Sequence, residues 1–561
     1  MSADTVPAAS AGQADDASDR LARLADEYVD ELARRHPETA TELGDHRFDD
    51  LLPDRSEDAL AGERRWLDAF AARLTDVDLA ALSREQRVDV AMAANDVARR
   101  LFEIEELREH TWNPLLANPG TAIYALLARD FAPLPDRLRS LAGRLSLVPD
   151  SLAAARSALE RMPKVHLETA ITQFGGTIGL VTGEVNAALR QLADGAGGVG
   201  GPATVVERVR PAALAALAEH RDWLAGRLDG DGDSGFADPR IGADLYARKL
   251  SLSLSAAADA DAILARAEAD LERITAEITR VAASLGGPPR EVLDRLGADA
   301  PDGATILRFA ASAFAAQTAF VRDHDLITLY DDPVEIIDMP QINRGVAVAY
   351  CDPPGMLETA PLPTFVAVSP TPEDWSAERV ASFYREYNRH MVHNLMVHEA
   401  MPGHYLQLAH SRRFTGATKI RSALWSGSFV EGWGVYSEEL MADYGYPGEG
   451  DAAAMRMQQL KMQLRMTINA ILDQRVHAHG MTEAQAMSLM TGRGFQEDGE
   501  AAGKWRRSLL TSAQLSTYYV GYTEVADLAA EVARTSESTR SVHDRMLAHG
   551  SPPVRLLRTV L

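Results

Sequence analysis

The sequence has one cysteine, a deficit of positive charge and no long apolar run. A single cysteine, Cys351, excludes an internal disulfide in a chain of 561 residues and fits a reducing compartment. Lysine and arginine number 57 against 81 aspartates and glutamates, and the net charge of -24 disfavours binding to nucleic acid or to an anionic membrane surface. No run of about 18 apolar residues occurs, so no membrane span is expected.

The N-terminal stretch lacks the features of a signal peptide. MSADTVPAASAGQADDASDR has neither a basic n-region nor an apolar h-region. Its acidic composition, rich in small residues, predicts a disordered tail over residues 1–20. Together with the lone cysteine, this favours a cytoplasmic protein.

Helical periodicity dominates the rest of the chain, and its length predicts more than one lobe. Residues 21–300 are rich in Ala, Leu, Arg and Glu, which predicts a helical N-terminal lobe broken by surface loops at GGVGGP and DGDGDSG. The second loop resembles a calcium loop but lacks the terminal glutamate. Residues 301–561 form the second predicted lobe, in which VEIIDM, GVAVAYC and TFVAVS predict a small sheet within residues 334–369.

The stretch LMVHEAMPGHYLQ resembles the zinc-peptidase signature HExxH with altered spacing. His398 and His404 are six residues apart, which places them roughly 120° apart around an unbroken helix. They could not share one metal ion on such a helix. Pro402 and Gly403 lie between them and favour a break or a restart of the helix, which would bring His404 back toward His398.

A catalytic zinc usually takes three protein ligands and leaves one position for water. Glu431, in SGSFVEGWGVYSEEL, is the best candidate for the third ligand, and one zinc per chain is expected. Glu438 lies seven residues later, nearly on the same helix face, and could orient a ligand histidine. Glu399, beside the first ligand, is the candidate general base.

Spacing by itself leaves both a metal site and a chance cluster open for His398, Glu399 and His404. Three further histidines are interpreted as surface or hydrogen-bonded core residues, because ligand geometry is demanding. They are His390, His393 and His410. Glu439 is expected to be solvated.

Longer motifs extend the evidence beyond this stretch. HEAMPGHYLQ resembles HEAxPGHHLQ, the hallmark of a widespread bacterial family called domain of unknown function 885. FVEGWGVYSEELMADYGY is similar to that family's EGWALYxE block. LDQRVHAHGMT is similar to its DxGLHxxGWT block, and RSLLTSAQLSTYYVG to its RYxxxPGQxLSYxxG block.

The resemblance implies a fold and an activity. The family is placed among zinc peptidases of the glutamate-ligand type and resembles the helical carboxypeptidases of the Taq type. A mainly α, multi-helix fold is therefore expected, with a small sheet beside the active-site helix and a deep central cleft for short peptides. The resemblance supports His398, His404 and Glu431 as metal ligands and Glu399 as the base.

The resemblance also selects residues that spacing cannot. His477 and Tyr518 match a family histidine and tyrosine, and either could donate a hydrogen bond to the oxyanion. Arg507 matches a family arginine that could pair with a peptide carboxylate. Ordinary helix packing for Tyr518 and a surface ion pair for Arg507 remain equally open.

Several positions depart from the family pattern, mainly in the blocks expected to face substrate. The replacements are Tyr405 for His, Gln474, Arg475 and Val476 for Thr-Gly-Leu, Met481 for Trp, and Ser512 and Ala513 for Pro-Gly. They suggest a specificity or a level of activity different from that of family relatives.

The expected function is a zinc-dependent hydrolase, most simply a peptidase that cleaves short peptides or peptide-like amides. One alternative is a non-catalytic helical binding protein that keeps its metal for structure or has lost it. A di-iron oxygenase or oxidase is a further alternative, but it needs Glu-x-x-His pairs from two helices, and no convincing pair occurs. Substrate identity, the choice between exopeptidase and endopeptidase, and the oligomeric state are left open.

Overall fold

A computed structural model describes residues 11–194, 201–230, 235–340, 348–372 and 375–561. It is 71% helical, and the sheet in these ranges has three strands. The predicted mainly α fold is therefore confirmed. The predicted loop GGVGGP lies partly outside the described residues, as do DGDGDSG and the start of GVAVAYC.

Helices form the whole regular structure before the sheet within the described ranges. They are α1 (Ala11–Arg35), α2 (Pro37–Leu43), α3 (Glu57–Thr75), α4 (Arg84–Phe102), α5 (Gly120–Ala128), α6 (Leu134–Ala158), α7 (Lys164–Asp194), α8 (Pro202–Gly230), α9 (Ala243–Ser253), α10 (Ala260–Ser284), α11 (Pro289–Gly297) and α12 (Ile306–Asp323).

Side-chain caps fix several helix starts. At α4, Ser83 accepts from the backbone N–H of Gln86 while the Gln86 side chain accepts from the backbone N–H of Ser83, which is a capping box. Ser56 caps α3 and Asp259 caps α10 in the simpler one-way form. These signals are local, so the sequence carries them without help from tertiary structure.

Helix α1 begins inside the predicted tail. The prediction of disorder over residues 1–20 is wrong from Ala11 onward, whereas residues 1–10 lie outside the described ranges. The Ser18 hydroxyl accepts a hydrogen bond from Gln86, and Leu21 and Leu24 are buried against the following helices. Burial and this contact extend the helix into a stretch whose composition alone does not require structure.

The three strands are β1 (Val334–Asp338), β2 (Ala349–Asp352) and β3 (Thr364–Val368). β3 lies in the centre, parallel to β1 and antiparallel to β2. Val366, Ala367 and Val368 of β3 are fully buried, which is expected of a central strand covered by helices. The prediction of a small sheet within residues 334–369 is confirmed.

The helices after the sheet complete the fold and carry the candidate site. They are α13 (Ala377–Glu386), α14 (Arg389–Glu399), α15 (His404–Ser411), α16 (Ile420–Ala423), α17 (Gly427–Asp443), α18 (Ala452–His479), α19 (Glu483–Ser488), α20 (Asp498–Leu510), α21 (Leu515–Ala533), α22 (Thr539–Leu547) and α23 (Val554–Leu557).

The hydrophobic cores do not divide at residue 300, where the sequence predicts a boundary between lobes. One core combines α10 residues such as Ile274 and Ile278 with α18 residues such as Leu464 and Ile468. Another joins α1, α3 and α4 with Ile420 from α16. A third core, built from α5 to α8, contains residues of the N-terminal half alone. No helix in the described ranges is long and apolar enough to cross a membrane.

Candidate metal centre

Helix α14 stops at the position where the sequence predicts a break. Its last residue is Glu399, and Ala400 leaves the helical region with φ -127° and ψ -78°. The backbone N–H of Gly403 then donates to the carbonyl of Val397 at 2.9 Å, and α15 begins at His404. The predicted helix restart at Pro402 and Gly403 is confirmed.

Glycine is required at position 403 by close packing of the chain on itself. A Cβ atom there would lie 1.9 Å from the carbonyl oxygen of His398 and 2.3 Å from that of Val397. The indole N–H of Trp433 in α17 donates to the Pro402 carbonyl at 2.9 Å. The turn is therefore held against α17, the helix that supplies the third candidate ligand.

The break brings three donor side chains together. The Glu431 carboxylate lies 3.4 Å from Nε2 of His398 and 3.7 Å from Nε2 of His404. All three donor atoms lie within 4.8 Å of one another, and both histidines are buried. Residues six positions apart, together with one from a later helix, thus meet at a single point.

The separations match those expected around zinc. Zinc–nitrogen and zinc–oxygen bonds of about 2.0–2.1 Å in tetrahedral geometry put neighbouring ligand atoms roughly 3.3 Å apart. The separations between the Glu431 carboxylate and the two Nε2 atoms, 3.4 and 3.7 Å, lie close to that value and exceed the length of an ordinary hydrogen bond. Two imidazoles and one carboxylate are also a typical donor set for catalytic zinc, so the residues fit the metal.

Within the described part of the chain, this is the one group of three His, Cys, Asp or Glu side chains that lie close enough to hold a metal ion. It contains a single carboxylate. A di-iron site would need several carboxylates from four helices. The cluster therefore favours one zinc over two irons.

Glu438 and Asn394 orient the first histidine. One Glu438 oxygen lies 2.7 Å from Nδ1 of His398, and the other accepts a hydrogen bond from Asn394 at 2.7 Å. This contact leaves Nε2 of His398 facing the cluster, as the predicted role of Glu438 requires. Nδ1 of His404, by contrast, is buried and has no hydrogen-bond partner among the described residues.

The local electrostatics favour positive charge at the cluster. Burial by itself would lower the pKa of His398, but its contacts with Glu431 and Glu438 outweigh burial and raise that pKa well above its ordinary value. Burial would raise the pKa of Glu431, yet the two histidines hold that pKa well below its usual range. A cation placed among these groups would meet an ionised carboxylate.

A cavity of about 490 Å³ opens onto the cluster. His398, Glu399, His404 and Glu431 line it together, and Tyr350 and Cys351 of β2 face them from the sheet. Burial, followed by the charge of Glu399, raises the pKa of the Cys351 thiol well above its ordinary value, so the thiol stays neutral. The sheet thus forms a wall of the cavity beside Glu399.

Arg507 and Tyr518 reach the same cavity. An Arg507 N–H group lies 3.2 Å from the Tyr518 hydroxyl and 2.9 Å from Oε1 of Gln514. Burial, followed by the charge of Glu431, raises the pKa of Tyr518 to about 12. Both side chains face the cavity, which favours the site roles over packing and over a surface ion pair.

His477 does not reach the cavity, so its predicted role as an oxyanion donor is wrong. Its Nε2 lies 2.9 Å from the carbonyl oxygen of Ser508 and 2.8 Å from that of Thr511. Its ring stacks on Tyr246 at a centroid distance of 6.1 Å. Burial lowers the pKa of His477 despite the nearby Asp473, so the ring stays neutral and acts in packing. A match to a family motif does not determine the direction in which a side chain points.

The departures from the family pattern also lie away from the cavity. None of Tyr405, Gln474, Arg475, Val476, Met481, Ser512 and Ala513 is among the described residues that line it. Ala513 occupies a turn with φ +61°, a conformation that glycine adopts more easily, at a position where the family has glycine. The replaced side chains therefore do not line the cavity themselves, although their last block supplies Arg507 and Tyr518 to it, and a changed specificity or activity stays a prediction.

Sequence reasoning missed several residues in and around the site. Lys504 lies three residues before Arg507 on α20, and helical spacing would have placed the two on one face. Asn394 lies outside the motifs, and Gly434 lies within the EGW block but was assigned no role. A Cβ atom on Gly434 would lie 2.7 Å from Cε1 of His398, so this glycine makes room for the ligand ring.

Comparison with known proteins gives a family. A family model described as "Bacterial protein of unknown function (DUF885)" matches residues 37–561. The chain belongs to the DUF885 family. The resemblance that the four motifs indicated is thereby confirmed. The match to DUF885 extends over nearly the whole chain.

Two solved structures are similar to this DUF885 chain. A candidate lipoprotein of unknown function from Shewanella oneidensis is 28% identical, with a TM-score of 0.80, covering 96% of this chain and 99% of that one. A candidate lipoprotein from Colwellia psychrerythraea is 16% identical, with a TM-score of 0.80, covering 97% and 98% respectively. The latter likeness concerns the fold alone. No curated protein matches the chain significantly.

Proposed function

We propose that the protein is a zinc-dependent peptidase that cleaves short peptides or peptide-like amides. The observation that carries the proposal is the convergence of His398, His404 and Glu431 at one point on the wall of a cavity that Glu399 also lines. Three protein ligands beside open space leave a fourth position for water, which is the arrangement of catalytic rather than structural zinc.

The residues around the cluster have separate roles in the proposed reaction. Zinc, when bound, supplies polarisation of the scissile carbonyl and lowers the pKa of the attacking water. The Glu399 carboxylate accepts the proton of that water and passes it to the leaving amine. Glu438 keeps Nε2 of His398 directed at the cluster.

Two further groups act on the substrate. The Tyr518 hydroxyl, whose pKa is about 12, remains protonated at neutral pH and donates a hydrogen bond to the developing oxyanion. Arg507 donates a hydrogen bond to the Tyr518 hydroxyl at 3.2 Å and also lines the cavity, where it can contact the substrate. The cavity volume of about 490 Å³ suits a short peptide segment.

Glu399→Gln tests the proposal. We expect the variant to bind one zinc per chain, because residue 399 is not a ligand, and to lose roughly 10²–10⁴-fold in kcat toward a short peptide, because the base is gone. Zinc content by elemental analysis and peptide cleavage by chromatography give the two readouts.

Glu449→Gln is the control for that variant. Glu449 is exposed and contacts Arg389 at the other end of α14, so cleavage should be unchanged. Equal cleavage by wild type and Glu399→Gln would remove Glu399 from the mechanism. A stoichiometric zinc with no cleavage by the wild type would favour the structural-metal alternative.

A further inference from the structure

Two basic side chains of α20 project into the cavity that the metal cluster lines. Lys504 and Arg507 are three residues apart on this helix, and both belong to the cavity wall. Lys504 is only 5% exposed, so its ammonium group has left bulk water. A buried ammonium is costly unless a counter-charge or hydrogen-bond acceptors compensate it.

The neighbouring buried cations have such compensation. Nζ of Lys461 lies 2.9 Å from the Glu386 carboxylate, and Arg465 pairs with Glu500. Arg465 also donates to the Tyr387 hydroxyl at 3.0 Å. These ion pairs use the carboxylates on this side of the cavity.

Lys504 differs from these cations. In the described ranges its ammonium makes no hydrogen bond and has no carboxylate within 4.0 Å. Arg507 has partners, but both of them, Gln514 and Tyr518, are neutral. Glu497, a further carboxylate of the cavity wall, is engaged by Arg385 at 2.8 Å and by Ser382 at 3.0 Å. This face of α20 therefore presents two basic groups that no carboxylate of the described residues contacts directly, although the charges of Glu500 and Glu431 reach Lys504 from farther away.

We propose that Lys504 and Arg507 together bind the C-terminal carboxylate of a peptide whose scissile bond lies at the metal centre. The inference rests on the proposed peptidase function and deepens it, since it makes the enzyme one that requires a free C-terminus. The planar Arg507 guanidinium suits two parallel hydrogen bonds to a carboxylate, and Lys504 adds a point charge from one turn away.

The surroundings support an anionic ligand at this place. Burial, followed by the charges of Arg465 and Arg507, lowers the pKa of Lys504 well below its usual range although Glu500 and Glu431 act in the opposite direction, and a carboxylate placed beside the amine would favour its protonated form. A cavity of about 490 Å³ accommodates the end of a peptide more readily than a long chain passing through.

Peptide binding to the full-length, zinc-loaded Glu399→Gln protein tests the inference, because this background does not turn the ligand over. The probes are Ala-Ala-Phe with a free C-terminus, the same peptide as its amide, and Ala-Ala-Glu amide, in which the only carboxylate is a side chain. We expect the free acid to bind roughly 10–100-fold more tightly than either amide by calorimetry, since charge-assisted hydrogen bonds have this strength.

Substitutions locate the effect. Lys504→Met and Arg507→Gln should each lower the preference for the free acid over the Phe amide by about tenfold, whereas Lys504→Arg should retain it. Arg506→Gln is the matched control, because Arg506 neighbours Arg507 but contacts Glu168 and Thr169 outside the cavity. Retention of the preference in Lys504→Met would overturn the role of Lys504.

The remaining outcomes separate this inference from the proposed function. Equal binding of acid and amide, or no binding of either, overturns the carboxylate site. Tighter binding of Ala-Ala-Glu amide than of the free acid also overturns it, since it assigns the cations to a side chain. A Lys504-dependent preference without cleavage by the wild type would keep the carboxylate site and overturn the peptidase proposal.

Discussion

His398 is oriented by two side chains that do not belong to the three-residue cluster. Glu438 contacts its Nδ1, and Asn394 holds the second oxygen of Glu438. All three residues are buried, so water does not compete for these hydrogen bonds. The position of one candidate ligand atom therefore depends on a chain of buried contacts.

Glu438→Gln should weaken zinc binding by about 10–100-fold, because an amide accepts a hydrogen bond from the imidazole less strongly and does not stabilise its charge. Competition with a chromophoric chelator measures the affinity. Glu439→Gln is the control, since Glu439 accepts from Tyr522 at 2.6 Å, away from the cluster. Equal affinities for wild type and Glu438→Gln would contradict this role.

The site depends on how closely helix α17 approaches the break between α14 and α15. Gly434 faces the His398 ring. Gly432 faces helix α21, where an added Cβ atom would lie 2.2 Å from the backbone carbon of Gly521. Small residues on both sides of α17 thus let this helix contact the His398 ring and helix α21 at once.

Gly434→Ala should lower zinc affinity by at least about tenfold, because the new methyl group would displace the His398 ring from the cluster by a fraction of an ångström or more. Zinc affinity and the melting temperature are measured together. Gly427→Ala is the control on the same helix, since a Cβ atom there meets no atom within 4 Å. Unchanged zinc affinity in Gly434→Ala would show that the ring has room to move.

The molecule as a whole buries histidines that are unrelated to the site. His220 is fully buried between Phe174 and Trp223, with ring centroids 4.8 and 5.4 Å away. Burial, followed by the charge of Arg156, lowers its pKa to about 4. Burial also lowers the pKa values of three further histidines, which are His166, His393 and His543.

These pKa values predict sensitivity to acid. The unfolded chain takes up a proton on each of these histidines near pH 6.5, whereas the folded chain resists protonation down to about pH 4. The contribution of these neutral histidines to the stability of the folded protein is therefore present above pH 6.5 and is lost as the pH falls toward 4.

His220→Phe should remove the part of this acid-induced loss of stability that comes from His220. Between pH 7 and pH 5, the wild type should lose about 2 kcal/mol more unfolding free energy than the variant, from the shift of one group. Denaturant unfolding at the two pH values measures the difference. His324→Phe, at an exposed position, should lose as much stability as the wild type. Parallel losses in wild type and His220→Phe would contradict the prediction.

The helical fold and the residues of the candidate metal cluster were predictable because their signals are local. Apolar periodicity and caps specify helices, β-branched segments specify strands, and Pro402 with Gly403 specifies an interruption. The helix arithmetic shows that His398 and His404 need this interruption to meet. Which family the chain resembles was also fixed by short contiguous motifs.

The direction in which each side chain points, and the groups that it contacts, were decided by the tertiary structure. His477 matches its motif as well as Tyr518 does, yet its ring faces the backbone carbonyls of α20 while Tyr518 faces the cavity. Lys504 belongs to no motif, and it gains significance because the carboxylates around it pair with other cations. The sequence alone determined which side chains lie near one another along the chain, whereas their environment depends on helices distant in sequence, whose packing sets burial, charge and free space.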